Sequence, residues 1–335
     1  MTRIGVDLHK EFARVCLLDE VTGEVREERL PVVGEIEPWR KLVEGVSSPV
    51  RILVENTVAC FHFADRLEEE GIGEVEVAQA DSLPSARNRG RKTDMRDARL
   101  LCEVLASPQS YRTCHRPTRQ QRMDQGLVGA HRLVVQMYTQ VVNWFHAQLT
   151  EWGISLPKGQ MTLERLRAQM ACVPEFLGAI WEKMLGLLEG VMAQRKALEK
   201  SIQEEARSRE EVKRLTSADG VASIVAMNFV AYMGDPHRFS DGGQVGAFLG
   251  LVPWVSQSGD RTHRGRITKI GCAPLRHMLV LAAQAASRVA GPLRDFYLRL
   301  RRNKNLYVAR TALARKMGVM LWAMWRDGRE YNPAG

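Results

Sequence analysis

The chain has 335 residues, with 48 Lys and Arg against 39 Asp and Glu, and a formal net charge of +9. At 45% hydrophobic and 26% charged residues, with no low-complexity tract, it carries enough apolar side chains for proper cores, which excludes global disorder and sets an expectation of two or three domains. No apolar stretch long enough for a signal peptide precedes Asp7, and the most apolar segment, 221–234, contains Ser223 and Asn228 and is too short to span a bilayer. The six cysteines form no C-x-x-C pair, which suits reduced thiols and a cytoplasmic protein.

The first eighty residues alternate strand and helix signals. Residues 3–8 and 12–18 are β-branched or apolar runs, Thr22-Gly23 is a turn signal, and 24–32 reads as a third strand. A helical pattern at 38–46, a buried-type strand at 50–54, an amphipathic helix at 60–70 and a strand at 75–78 complete an α/β sheet domain. A basic loop from Ser85 to Lys92 follows, then a helix to about Ala106 with Thr93 as its cap. Beyond Gln121 strand signals fade. Leu177, Trp181, Met184, Leu188, Val191, Arg195, Leu198 and Ile202 step by four and three, which predicts a coiled coil or a long helical hairpin. A third region from about Leu215 holds short helices, a Gly/Ser-rich basic loop from Ser256 to Thr268, and helices at 272–289, 291–302 and 306–326. The expected division is therefore 1–120, 121–214 and 215–335.

Charge is unevenly placed. Residues 1–80 hold 9 basic and 17 acidic side chains, whereas 258–316 hold 14 basic and 2 acidic. The second segment would repel itself unless it met a polyanion, so nucleic acid is the first partner to consider; a solvated helix face is the plainer account of the same run.

Two acids follow buried-type strands: Asp7 after Ile4-Gly5-Val6, and Glu55 after the run 50–54. Burying such groups is costly unless they are paired or bind a cation. Asp94 and Asp97 are spaced i, i+3, which puts both on one helix face. Four converging carboxylates would call for hard divalent cations, and two Mg²⁺ ions suit phosphodiester displacement. Spacing alone is served more simply by first-turn acids that favour the helix dipole and a capping glutamate. In the basic loop Ser258-Gly259 sits beside Arg261, Arg264, Arg266 and Lys269. A serine hydroxyl needs its proton removed and the developing charge held before it attacks phosphorus, and arginines can clamp that phosphate. The same residues would also serve as mere backbone-phosphate contacts, and Ser256 competes with Ser258 on composition.

Together these segments resemble the DEDD transposases of bacterial insertion sequences related to the Piv DNA invertase, the bridge-RNA-guided recombinases. The match is carried by Gly5-Val6-Asp7 with Lys10, Glu55, Lys92-Thr93-Asp94 with Asp97-Ala98, Gly250-Leu251-Val252-Pro253, Ser258-Gly259, and Gly265-Arg266-Ile267-Thr268-Lys269 with Gly271 and Arg276. The resemblance implies a RuvC-like, ribonuclease-H-like N-terminal domain, a helical coiled-coil insert and a mostly helical C-terminal transposase domain. It implies that Asp7, Glu55, Asp94 and Asp97 bind Mg²⁺ and that Ser258, five residues beyond Pro253, forms a covalent serine-DNA intermediate, with the two sites brought together between subunits. Asn56-Thr57-Val58 departs from the family, where glycine stands at the position of Val58, and so does Ala218-Asp219-Gly220-Val221, where relatives have a Pro-Gly-Ile-Gly-like stretch.

The expected activity is site-specific DNA recombination in the bacterial cytoplasm. The expected partners are donor and target DNA, an element-encoded guide RNA and further copies in a dimer or tetramer, with no membrane. Arg87, Arg89, Arg91, Lys92, Arg261, Arg264, Arg266, Lys269 and Arg276 are the candidate nucleic-acid contacts. A metal-only RuvC-like nuclease or junction resolvase and a catalytically silent nucleic-acid-binding protein are the alternatives. Trp254, Trp322 and Trp325 would either stack on bases or fill the helical core.

Overall fold

The computed structural model describes residues 1–83, 94–156, 162–258 and 261–333, with side chains described at all of these except 108, 256–258 and 261–264. The chain divides into two compact units, Met1–Pro117 and Thr118–Gly335.

The first unit contains β1 (Thr2–Leu8), β2 (Phe12–Asp19), β3 (Val25–Pro31), α1 (Glu37–Val43), β4 (Val50–Glu55), α2 (Cys60–Glu69), β5 (Glu74–Ala78) and α3 (Asp94–Val104). Its five strands form one mixed sheet in the order β3-β2-β1-β4-β5, antiparallel from β3 to β1 and parallel from β1 to β5. Alternation along β1 sorts the side chains between two faces. Ile4, Val6 and Leu8 join Trp39 and Leu42 of α1 and Phe63 and Leu67 of α2 in a core on one face. The other face takes α3: Leu53 packs with Leu101 and Leu105, and Cys16 with Ala98 and Cys102. Arg99 of α3 forms an ion pair with Glu27 of β3. Both faces are covered, so the strands read as apolar runs rather than as clean alternation.

The second unit contains α4 (Arg119–Glu151), α5 (Leu163–Ala168), α6 (Glu175–Ser208), α7 (Glu210–Thr216), α8 (Ser223–Met233), α9 (Gly242–Phe248), β6 (Pro253–Ser258), β7 (Arg261–Ile267), α10 (Ala273–Ala286), α11 (Pro292–Arg301) and α12 (Leu306–Arg326). Thr118 and Gln121 form a reciprocal capping box that starts α4. The helices α4 and α6 run antiparallel: Asp124 meets Arg209, His131 meets Glu199, Tyr138 meets Arg195, and the rings of Phe145 and Trp181 are 5.8 Å apart. Trp181, Leu188, Val191 and Ile202 of the four-three seam are buried. The helix α8 is buried nearly all round, its residues packing in one core with those of α10 and α12. This is where the most apolar stretch of the sequence goes, as a central helix should. Among the described residues no helix is long and apolar enough to cross a membrane.

The segment read as a basic loop is in large part a β-hairpin. The strands β6 and β7 pair with Ser256 opposite His263, Gln257 opposite Thr262 and Ser258 opposite Arg261. Val255, Thr262 and Ile267 suit extended backbone, and Gly-Asp between such runs is a hairpin signal that the Ser and Arg content obscured. Two of the three tryptophans belong to the core. Trp322 is buried and its Nε1 donates to the Pro236 carbonyl at 2.7 Å, and Trp325 packs edge-on against Phe229, whereas Trp254 is 55% exposed.

Candidate active site

The register that pairs Val6 with Val54 puts the next residues, Asp7 and Glu55, at the neighbouring ends of parallel strands β1 and β4. Both follow the parity of Gly5 and Leu53, so both belong to the face that α3 covers. Gly5 governs how near α3 can come. A Cβ built there would lie 2.0 Å from the Ala98 carbonyl oxygen and 2.3 Å from the Cys102 nitrogen, so only glycine lets the helix backbone rest on the strand. Asp94 and Asp97 occupy the first turn of that helix.

The closest gathering of ligand atoms among the described residues is Asp7, His9 and Asp94, all within 4.8 Å of one another. His9 Nε2 lies 3.2 Å from Asp7 Oδ2 and 3.3 Å from Asp94 Oδ2. That nitrogen is shielded from solvent, and neither oxygen is placed to form a hydrogen bond with it. Two anionic oxygens and a ring nitrogen around one point fit a divalent cation, which the donor set of hard oxygens and one imidazole can hold. Glu55 and Asp97 are half-buried on the neighbouring strand end and on the helix, outside this closest triplet.

His9 is the member that the sequence reading passed over. It stands in the turn just beyond β1, where no periodic pattern marks a residue's face. The position is fixed by the β1–β2 turn, where the His9 N–H donates to the Phe12 carbonyl at 2.9 Å. The imidazole rests on the Phe12 ring at 4.6 Å between centroids, and the Arg29 guanidinium covers that ring at 4.0 Å.

Ser258 and the basic candidates Arg261, Arg264, Arg266, Lys269 and Arg276 belong to the second unit. Ser258 ends β6 opposite Arg261, and Arg264 lies opposite Val255 on β7. Arg266 and Lys269 are exposed, and Lys269 adopts a left-handed φ of 56°. Arg276 is half-buried and donates to the Leu249 carbonyl at 3.1 Å, which binds α10 to the segment after α9. Arg87, Arg89, Arg91 and Lys92 lie outside the described residues, as does the cap expected at Thr93.

Comparison with known proteins gives this arrangement its context. Residues 4–154 match the DEDD family of IS110 transposases, and residues 212–298 match the Transposase IS116/IS110/IS902 family. A probable family 20 transposase of Pseudomonas aeruginosa is 27% identical over 99% of both chains. The transposase for insertion sequence element IS1111A of Coxiella burnetii is 26% identical over 98% of this chain and 91% of its own. The transposase for IS1328 of Yersinia enterocolitica is 26% identical over 73% of this chain and 75% of its own. These matches define the class: the chain is a transposase, an enzyme that cuts and recombines DNA. The chain belongs to the IS110/IS116 family of DEDD transposases of insertion sequences.

Proposed function

We propose that the protein is a site-specific recombinase that moves its own insertion sequence under the direction of an element-encoded bridge RNA, through a covalent bond between Ser258 and DNA. The observation that carries this reading is the meeting of Asp7, near the end of β1, with Asp94, at the start of α3, on either side of His9 Nε2. Asp7, Glu55, Asp94 and Asp97 would hold Mg²⁺ ions, whose charge offsets that gathering on the phosphate oxygens in the transition state.

The remaining work belongs to the protein's side chains. Ser258 loses its hydroxyl proton as its Oγ bonds to phosphorus, and the P–O bond to one strand breaks to leave that strand with a hydroxyl end. Attack by the hydroxyl of an incoming strand reverses these bonds and restores the serine. Arg261, Arg264, Arg266 and Lys269 line the strand that follows the serine and the segment just beyond it, where their charge can hold backbone phosphate during the exchange.

The test is a recombination assay with the element's DNA ends, target DNA and RNA, run on the wild type, Asp7→Asn and Ser258→Ala. The reading expects joined product from the wild type alone, and none when RNA is omitted. Full activity of Ser258→Ala would overturn the serine chemistry and leave a metal-only nuclease. Full activity of Asp7→Asn would overturn the role of the acids, and RNA-independent joining would overturn guidance.

A further inference from the structure

We infer that His9 is itself a protein ligand of the metal held by Asp7 and Asp94, and that it turns the site towards Mn²⁺ in preference to Mg²⁺. This rests on the reading that the acid cluster binds a divalent ion.

His9 Nε2 offers either one proton or one lone pair, so it cannot satisfy two carboxylates at once. Yet Asp7 Oδ2 and Asp94 Oδ2 stand 3.2 and 3.3 Å from it, and neither has hydrogen-bond geometry towards it. The nitrogen is sealed from solvent, so water does not satisfy it either. A cation among the three atoms supplies that nitrogen with a partner, its lone pair and the two oxygens then facing one centre. The ring is also held as a ligand must be. Its backbone is tied into the turn by the bond to Phe12, one face of the imidazole leans on the Phe12 ring, and Arg29 covers that ring. A ligand whose rotamer is fixed by packing loses little freedom on binding.

The choice of metal follows from the donor set. Mg²⁺ is hard, keeps its waters and favours all-oxygen sites, whereas imidazole suits the first-row transition ions. An Asp–His–Asp triplet therefore raises the affinity for Mn²⁺ more than that for Mg²⁺. The carboxylates remain compatible with both, so His9 sets preference rather than permission.

The experiment uses the purified full chain titrated with Mn²⁺ and read by electron paramagnetic resonance, where free Mn²⁺ reports affinity and electron spin-echo modulation of the bound ion reports a coordinated nitrogen. The wild type is expected to show nitrogen modulation, and His9→Asn and His9→Gln to lose it. Mn²⁺ affinity should fall by at least about tenfold, the lower end of the cost of losing even a partner that only orients a ligand. The excess of Mg²⁺ needed to displace Mn²⁺ should shrink in both variants while their thermal melts without metal stay at the wild-type position. Bound Mn²⁺ that is lost in Asp7→Asn but shows no nitrogen modulation, or modulation that persists in both His9 variants, would overturn the role of His9 and leave the acid site standing. No bound Mn²⁺, or binding indifferent to Asp7→Asn, would overturn the metal reading of the acid cluster as well.

Discussion

Gly5 of β1 and Ala98 of α3 touch so closely that a methyl group on Gly5 would sit 2.0 Å from the Ala98 carbonyl oxygen. This approach sets the distance between the strand that carries Asp7 near its end and the helix that begins with Asp94. Gly5→Ala must push α3 away, because the obstacle is backbone rather than a flexible side chain. The expected cost is at the upper end of the ~1–3 kcal/mol typical of overpacking. Divalent-metal binding should be lost before the fold is. Thermal melts with and without Mn²⁺ check this: a wild-type metal-dependent shift in Gly5→Ala would contradict the account.

Asp124 and Arg209 join the start of α4 to the end of α6 in a two-pronged ion pair, with Nη1–Oδ2 at 2.5 Å and Nη2–Oδ1 at 2.8 Å. Asp124 is 3% exposed, and its carboxylate is the main reason that the Arg209 guanidinium is held above its ordinary pKa. Asp124→Ala leaves a half-buried cation with only the exposed Glu205 beside it, at a cost of about 1.5–3 kcal/mol. Urea denaturation of the two proteins measures the difference, and a loss well below that range would mean that Glu205, which also pairs with Arg209, can hold the guanidinium alone.

The Asp19 carboxylate accepts the backbone N–H groups of Ser47 and Val21, both at 2.9 Å. The bonds from Ser47 and then Val21 hold its pKa down from 3.8 to about 2. A depressed pKa means that the stabilisation is complete above the unfolded value and is lost as pH falls through the folded one. The stability gap between wild type and Asp19→Asn should therefore be constant near neutrality and close between roughly pH 4 and 2. Denaturation midpoints across that window test it, and a gap that persists at the acid end would contradict it.

Arg294, Arg299, Arg301 and Arg302 are exposed on α11 and just beyond it, within the most basic part of the chain. Replacing three of them with Gln should weaken DNA binding and reduce the slope of log K against log salt by about one unit for each phosphate no longer neutralised. Fluorescence anisotropy over a salt series provides the slope. An unchanged slope would move the binding face elsewhere. Arg276→Gln is a useful contrast, since that side chain ties α10 to Leu249 and its removal should show in the melt.

The strand-end acids were legible because period-two patterning gives both the face and the end of a strand, and two such ends on neighbouring parallel strands come together by register alone. The i, i+3 pair on α3 was legible for the same kind of reason. His9 was not, since a histidine in a polar turn has no pattern of its own until the helix opposite is in place. The four-three seam of α6 gave the buried face of the helix but not what covers it. That α4 runs back along it, with Phe145 against Trp181, is a tertiary fact. The hairpin at β6 and β7 was hidden by composition, because Ser, Gly and Arg suggest a loop wherever the β-branched residues between them are not counted.

The proposed function turns on one step, the bonding of DNA to Ser258 in a reaction that needs the acids. The most direct measurement is to incubate the protein with its element's RNA, Mg²⁺ or Mn²⁺ and both DNA ends, digest it, and search by mass spectrometry for a nucleotide on serine. The account predicts an adduct at Ser258 in the wild type and none in Asp97→Asn. DNA joining that proceeds with no serine adduct would contradict it and assign the chemistry to the acids and their metal alone.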